Sequence, residues 1–492
     1  MYDLHAPRWR MEQDFSEMTA DVLATGAYLP RFSSEESAND YTYRRSMSAP
    51  LDLCRDAVRI RIDNMWRTPP KREVDKASRY ADLLWTLIYD ADDDGTPLDA
   101  FMRRLAWQHY VTGADVVTQM TRAADGREIK TQADARDANI RPYFLQFGPL
   151  ARYDWAVRGN STFKWARYFL GRKPPSDEKD GSDPVDEYLT VSDSGWRLYT
   201  VTHPGGGNAE QIVETEGRSN EAALGMAPVL KGYFAESMKD GQGGVPVSLL
   251  SRPAIIAKVL LNLKSQADVA ILANVPRWFI SGAGENAPDT YGPQMLIKLM
   301  DPAAKIGVVQ GDSAHIAEIR EWINLYVGEM LRLFKFRGGM AEINANSGSG
   351  LKLAIERTDL DNELRERAAF LEGLELEMMR HAVVMATGVA IRPENAAEEL
   401  GYSVSYNRDF VLEPVGEIID NLGKWVNAGF VSADVPSLTR EMLYQLRNAL
   451  VRDDSSAAVE IDAEIEGAEL TGVADPGEPE LEGNLPPGAE RE

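Results

Sequence analysis

The stretch from Arg337 to Gly388 constrains this chain most: a turn-rich segment runs straight into a long apolar period. RGGMAEINANSGSG, from Arg337 to Gly350, is dense in Gly, Asn and Ser, which favour turns and positive φ, so it reads as a mobile loop. Beyond it Thr358 and Asp361 stand at capping-box spacing. Leu360, Leu364, Ala368, Leu371, Leu374, Met378, Ala382 and Met385 then recur at helical intervals until Gly388. The spacing predicts a helix from Thr358 to Gly388, about 40 Å long and able to cross a domain. One face is apolar; the other carries Glu363, Arg365, Glu366, Arg367, Glu372, Glu375 and Glu377.

A chain of 492 residues, 44% of them hydrophobic, can bury more than one core, so several domains are expected around that helix. Cys54 is the only cysteine, which excludes a disulfide framework and a multi-cysteine metal site and fits a reducing cytoplasm. MYDLHAPRWRMEQDF carries charges where a signal peptide needs an apolar run. Ala254 to Val275 is broken by Lys258, Lys264 and Asp268, too polar for a span of about 20 residues, so a soluble, intracellular protein without a membrane is expected. From Asp453 to Glu492, 13 acids face Arg491 alone, so this tail holds 12 of the 24 net negative charges. The rest is only mildly acidic, which disfavours tight or sequence-specific DNA binding but not the passage of DNA.

Met1 to Ser48 reads as a polar, irregular surface arm with a basic patch from Tyr41 to Arg45. Helices are predicted from Ala49 to Trp66, with Cys54 on the apolar face, and from Ala77 to Tyr89. Asp90, Asp92, Asp94 and Gly95 match the first half of an EF-hand loop, but the twelfth position is Phe101, and the match fails. The same run reads better as a turn at Asp93-Asp94-Gly95 before a helix capped by Thr96, with Pro97 first and Asp99 closing the box, ending at Thr112 and Gly113. DVVTQMTR then alternates like a strand, turned by Asp125-Gly126.

From Pro142, six short runs rich in aromatic and β-branched residues predict a β-meander through AEQIVETEG, with Lys173 to Asp183 as a loop tip. Its Trp155, Trp165 and Trp196 read as core or sheet-face residues, since no basic residues cluster with all three. A helix opened by Ser251 and Pro253 runs to Val275-Pro276, followed by strands at Trp278 to Gly282 and Lys305 to Gly311 and a helix from Ser313. After Gly388, Tyr402 to Pro414 is expected to supply a strand pair returning to the earlier sheet, then helices at Val415 to Ala428 and Ser437 to Val451, then a disordered tail.

SGSGLKLAIERTDLDNELRERAAFLEGLELEMMRHA, preceded by a helix and a glycine-rich loop, resembles the tunnel-loop and spine-helix region of tailed-phage portal proteins. Helix, strand insert, helix, glycine-rich loop and long helix is that family's order of stem, clip, stem, tunnel loop and spine; Met226 to Val229 resembles its wing-closing strand. The resemblance implies an α+β subunit. It covers about Arg44 to about Val451, the first residues and the tail having no counterpart, and divides the chain into an arm and wing (1–248), first stem helix (249–274), clip (275–314), second stem helix (315–335), tunnel loop and following strand (336–357), spine (358–388), wing return strands (389–414), crown (415–452) and disordered acidic tail (453–492).

The resemblance further implies a homo-oligomeric ring of about a dozen copies at one capsid vertex, closed by a repeated heterologous interface, through which double-stranded DNA passes. The loop meeting the DNA would comprise Lys335, Phe336, Arg337, Gly338, Gly339, Glu342, Asn344, Asn346, Gly348 and Gly350. Terminase or an adaptor would dock on the clip at Trp278, Gly284, Glu285, Asp289, Tyr291 and Lys298. Other partners so implied are the major capsid protein, a scaffold and neck or tail adaptors. No cofactor, metal or catalytic residue is expected: the chain holds no phosphate loop, H-E-x-x-H or G-x-S-x-G, and its five histidines are scattered. The alternatives are a different virion ring protein such as a neck adaptor, and a metal-assisted hydrolase built on Asp90 to Asp94.

Overall fold

The computed structural model describes residues 2–34, 36–121, 138, 140–159, 162–173, 185–203, 210–217, 219–237, 243–274, 277–281, 305–309, 314–336, 350–408 and 410; residues 21, 273, 277–281, 305–309, 314 and 350–359 are described by backbone alone. The chain divides into Met1–Phe410 and Val411–Glu492. The segments expected to form the crown helices, the acidic tail, the Asp125-Gly126 turn and the loop tip beyond Lys173 lie outside the described residues.

The fold is α+β. It begins with α1 (Tyr2–Glu17), α2 (Ala20–Thr25), α3 (Ala38–Met47), α4 (Leu53–Met65), β1 (Lys71–Val74), α5 (Ala81–Tyr89), α6 (Leu98–Val111), β2 (Asp115–Met120) and β3 (Pro142–Phe147). The meander follows as β4 (Arg152–Arg158), β5 (Thr162–Lys173), β6 (Val185–Ser192), β7 (Gly195–Thr202) and β8 (Gln211–Gly217). Next come α7 (Glu221–Leu224), β9 (Val229–Lys231), β10 (Ala235–Glu236), β11 (Pro246–Val247), α8 (Pro253–Ala273), β12 (Arg277–Ser281), β13 (Lys305–Val309) and α9 (Ala314–Leu333). Last are α10 (Gly350–Thr387), α11 (Ala396–Leu400) and β14 (Tyr402–Ser405).

Two cores organise this part of the chain. The larger is helical: Leu364, Ala368, Leu371, Met378 and Ala382 of α10 are buried among Val58 and Ile62 of α4, Leu84 and Leu87 of α5, Leu98, Phe101 and Leu105 of α6, and Leu260 of α8. The smaller lies under the meander, where Phe163, Tyr168, Leu189 and Val191 meet Val117 and Val229. β2 is central to the three-stranded sheet β3-β2-β9 and buried nearly throughout, so its residues do not alternate in exposure. Gly113, at φ +83, makes the turn into β2; a Cβ there would stand 2.6 Å from Pro246 Cβ, so only glycine fits.

Several expectations are corrected. The first 48 residues are not irregular, and α1 is no surface arm: it places Ala6 and Trp9 in the meander core and Phe15 in the helical core, while among the described residues of 22–43 only Leu29 is buried. Arg44 of the basic patch is buried, bonded to Glu36 at 2.8 Å, Pro30 O at 2.8 Å and Ser265 of α8 at 3.2 Å. Pro97, not Thr96, is the N-cap of α6, because Asp92 already holds the Thr96 amide at 3.2 Å in the preceding turn. β3 joins β2 instead of the meander, whose order is β4-β5-β6-β7-β8. β14 returns to β1, with Lys71↔Ser405 through Val74↔Tyr402, and not to the earlier sheet. The strand expected before the spine is helical, and the spine starts at Gly350: Leu, Lys, Ala, Glu and Arg are strong helix formers, and extending an existing helix is easier than nucleating one at Thr358. At 38 residues it is about 57 Å long.

Candidate functional site

Two features of the described chain stand out. The first is an arm made by α8 and α9. Pro253 opens α8, where its missing N–H costs nothing, and the helix begins buried at Ala254, Ala257, Leu260 and Leu261. α9 is buried near its end at Met330, as is Phe334 just past it. Toward the other end both helices emerge: Val269, Ile271 and Leu272 of α8 are exposed, as are Trp322 and Leu325 of α9, the last two at 54% and 60%. There β12 and β13 pair antiparallel, Arg277↔Val309 through Ser281↔Lys305, closing the arm.

The second feature is the base of the loop that leads from α9 into α10. Arg61 of α4 is wholly buried; it donates to Phe334 O at 2.8 Å, to Ala57 O at 3.0 Å and to Glu363 at 3.2 Å. One of those bonds caps a terminal carbonyl of α9. Lys335, in the left-handed region at φ +59, reaches Glu363 from the other side at 3.2 Å. Burial pushes the Glu363 carboxyl up, but the Arg61 guanidinium and the Lys335 ammonium outweigh it and hold the group below the usual carboxylate range. Phe336 packs against the helical core with the Arg61 guanidinium 5.0 Å over its ring.

The charged residues expected along one side of the spine are not all solvated. Glu363 and Glu375 are buried. Arg367 donates to His109 Nε2 at 3.3 Å, and His109 Nδ1 lies 3.1 Å from Gly232 O, so the ring is bound as the neutral tautomer. Burial, reinforced by Arg367, pushes the His109 pKa down to about 3. Periodicity could not find these residues, because their partners lie hundreds of positions away.

Of the expected loop residues, Lys335 and Phe336 sit at this base and Gly350 opens α10. Arg337, Gly338, Gly339, Glu342, Asn344, Asn346 and Gly348 lie outside the described residues. Of the expected docking residues, Trp278 lies on β12 opposite Val308, while Gly284, Glu285, Asp289, Tyr291 and Lys298 lie outside them. The Asp90 to Asp94 run is occupied in building a turn. Asp90 and Asp93 each accept from Arg141 at 2.5 Å, Asp90 also accepts from the Gly95 amide, and Asp92 accepts from the Asp94 and Thr96 amides. Among the described residues no group of three or more His, Cys, Asp or Glu is placed to hold a metal ion, and no helix is long and apolar enough to cross a membrane. Trp155 is buried and Trp196 packs on the meander core, as expected of sheet residues. Basic residues do gather near two of the three tryptophans, in a groove taken up below.

No family model matches this sequence, and no curated protein matches it. Among solved structures, a chain in the neck of an empty gene transfer agent particle, computed with C6 symmetry, is 12% identical, covering 88% of this chain and 94% of that one at a TM-score of 0.35. A chain from the virion of a native gene transfer agent particle is 11% identical, covering 84% and 95% at a TM-score of 0.31.

Proposed function

We propose that this chain is a structural subunit of a phage-like virion, and specifically a portal subunit: one copy in a ring of about a dozen that forms the DNA channel at a capsid vertex. The observation that carries this reading is the closed order of α8, β12 paired with β13, α9, loop and α10. In it the helix pair is the stem, the strand pair the clip and the 38-residue helix the spine. Exposed Val269, Ile271, Leu272, Trp322 and Leu325 support assembly, since apolar side chains concentrated on a projecting arm are the kind a neighbouring subunit covers. Terminase or an adaptor would meet the clip, capsid and scaffold proteins the periphery, and double-stranded DNA would pass through without sequence readout. No catalytic step is assigned to the chain. Packaging energy would come from the motor partner.

Class averages of the purified full chain by electron microscopy, with native mass spectrometry, test this reading. Closed rings with a central hole are expected. A monodisperse monomer at micromolar concentration would overturn it.

A further inference from the structure

The meander ends in a strand that nothing among the described residues covers. β8 pairs with β7 on one side, Trp196↔Gly217 through Thr202↔Gln211, and is last in its sheet. Gln211 to Glu216 are all exposed, with the β-branched Ile212 and Val213 at 64% and 58%. Such an edge presents unpaired amide and carbonyl groups, a template for another strand. The opposite edge is flanked: Tyr2 of α1 stacks on Tyr153 of β4 at 5.2 Å, and Trp155 and Arg152 donate to the carbonyls of Gly243 and Gly244.

A groove of about 420 Å³ adjoins the β7–β8 end of the sheet, lined among others by Trp165, Arg167, Trp196, Arg197, Tyr199 and Glu216. The register puts Arg197 beside Glu216 and Tyr199 beside Glu214, so both acids share one sheet face. Arg167 donates to Thr190 at 3.0 Å and lies 5.3 Å over the Tyr199 ring. Arg197 stands 3.6 and 3.7 Å from Glu214 and Glu216, beyond good hydrogen-bond length, leaving both carboxylates loosely held. Trp196 lies over Gly217, where any Cβ would be 2.3 Å from its ring.

The acids choose the occupant. The groove walls are of mixed charge, Lys164, Arg167 and Arg197 against Asp193 and Glu216, whereas the free β8 edge beside it carries Glu214 and Glu216, which repel phosphate along that edge. Two β8 strands paired with each other would set acid near acid. We propose that β8 docks an extended segment of a partner protein, basic at alternate residues, which adds a sixth strand to the meander. Its Lys or Arg side chains come opposite Glu214 and Glu216 on the groove face, and its other face meets Val213 and Thr215. This surface does not depend on the portal reading.

The full chain is titrated with fluorescently labelled acetylated Lys-Val-Lys-Val-Lys-Val amide and with the Glu-Val counterpart, while hydrogen exchange is followed. The basic peptide is expected to bind about tenfold tighter or more and to slow exchange within Gln211–Gly217. Glu214→Lys with Glu216→Lys should reverse the preference, and N-methylation of alternate peptide amides along one edge should abolish binding. The proposal is overturned by equal binding of both peptides, absence of binding, protection confined to other strands, preference for single-stranded oligonucleotide, or dimerisation through β8 without peptide.

Discussion

Arg72 on β1 and Glu375 in α10 form a bidentate pair, Nε to Oε1 at 2.7 Å and Nη2 to Oε2 at 3.1 Å, and the carboxylate is wholly buried. The Tyr402 and Tyr406 hydroxyls donate to the same two oxygens at 2.5 and 2.6 Å. Burial would lower the Arg72 pKa, but Glu375 beside it lifts it above the ordinary arginine value. These contacts latch the long helix to the β1–β14 pair.

Removing Glu375 leaves the mostly buried Arg72 only its bridge to Asp99 at 3.2 Å and strips the acceptor from both buried tyrosine hydroxyls. Glu375→Ala is expected to destabilise the chain by about 3–5 kcal/mol, read as a lowered melting temperature, and Arg72→Met with Glu375→Leu together by much less. A loss under about 1 kcal/mol for Glu375→Ala would show that the pair contributes only as a surface bridge does.

The spine's apolar stripe was legible in the sequence because Leu364, Leu371, Leu374 and Met378 fall one helical turn or two apart whatever they touch. Burial of Glu363 and Glu375 was not, since it is decided by Arg61 and Arg72, some three hundred residues earlier. The first segment was misread for a related reason: Glu12 interrupts the stripe of Ala6, Trp9 and Phe15, yet is itself buried against Ser251 at 2.7 Å. Leu351, Leu353 and Ile355 alternate as a strand would, but helix propensity and continuity with the spine prevailed there. At the candidate site, the arm and its paired strands follow from periodicity and turn residues. The charge triad at the loop base does not, because a local pattern carries no information about what packs against Lys335.

Acid should weaken the fold through His381, which is fully buried with neither ring nitrogen bonded among the described residues. Burial, then Arg380, pushes its pKa from 6.5 down to about 3. Between those values the unfolded chain takes up a proton that the folded one refuses, so stability falls as pH drops from 6.5 toward 3. Replacing the ring by His381→Leu should flatten that slope, raising stability relative to wild type by about 2 kcal/mol more at pH 5 than at pH 7.5. Parallel melting curves at the two pH values would expose a role for the imidazole elsewhere.

Trp322 and Leu325 sit on the outer part of α9, so the subunit gains little from them alone. Trp322→Glu with Leu325→Glu should leave subunit stability within about 0.5 kcal/mol per site while abolishing rings, because each carboxylate would enter an interface that excludes water. Intact rings in native mass spectra of the double variant would place the subunit contact off the arm.

The base of the loop separates anchoring from any contact with DNA. Arg61→Ala strips a buried partner from Glu363 and the cap from Phe334 O, and is expected to cost about 3–5 kcal/mol in thermal stability. Lys335 is 43% exposed, so solvent screens its bridge, and Lys335→Ala should cost under about 1 kcal/mol. Because the Lys335 ammonium is already spent on Glu363, its removal should leave the salt dependence of DNA retention in filled particles nearly unchanged. Arg337→Ala, two residues on, should weaken retention and reduce that salt dependence by about one phosphate contact if the loop meets DNA as proposed. Shortening Asn344 to Ser349 should spare rings, since Arg61, Glu363 and Phe336 hold the base independently of the loop, yet impair packaging or retention. Particles that fill and hold full-length genomes with that deletion, at every ionic strength tested, would reduce the loop to a connector.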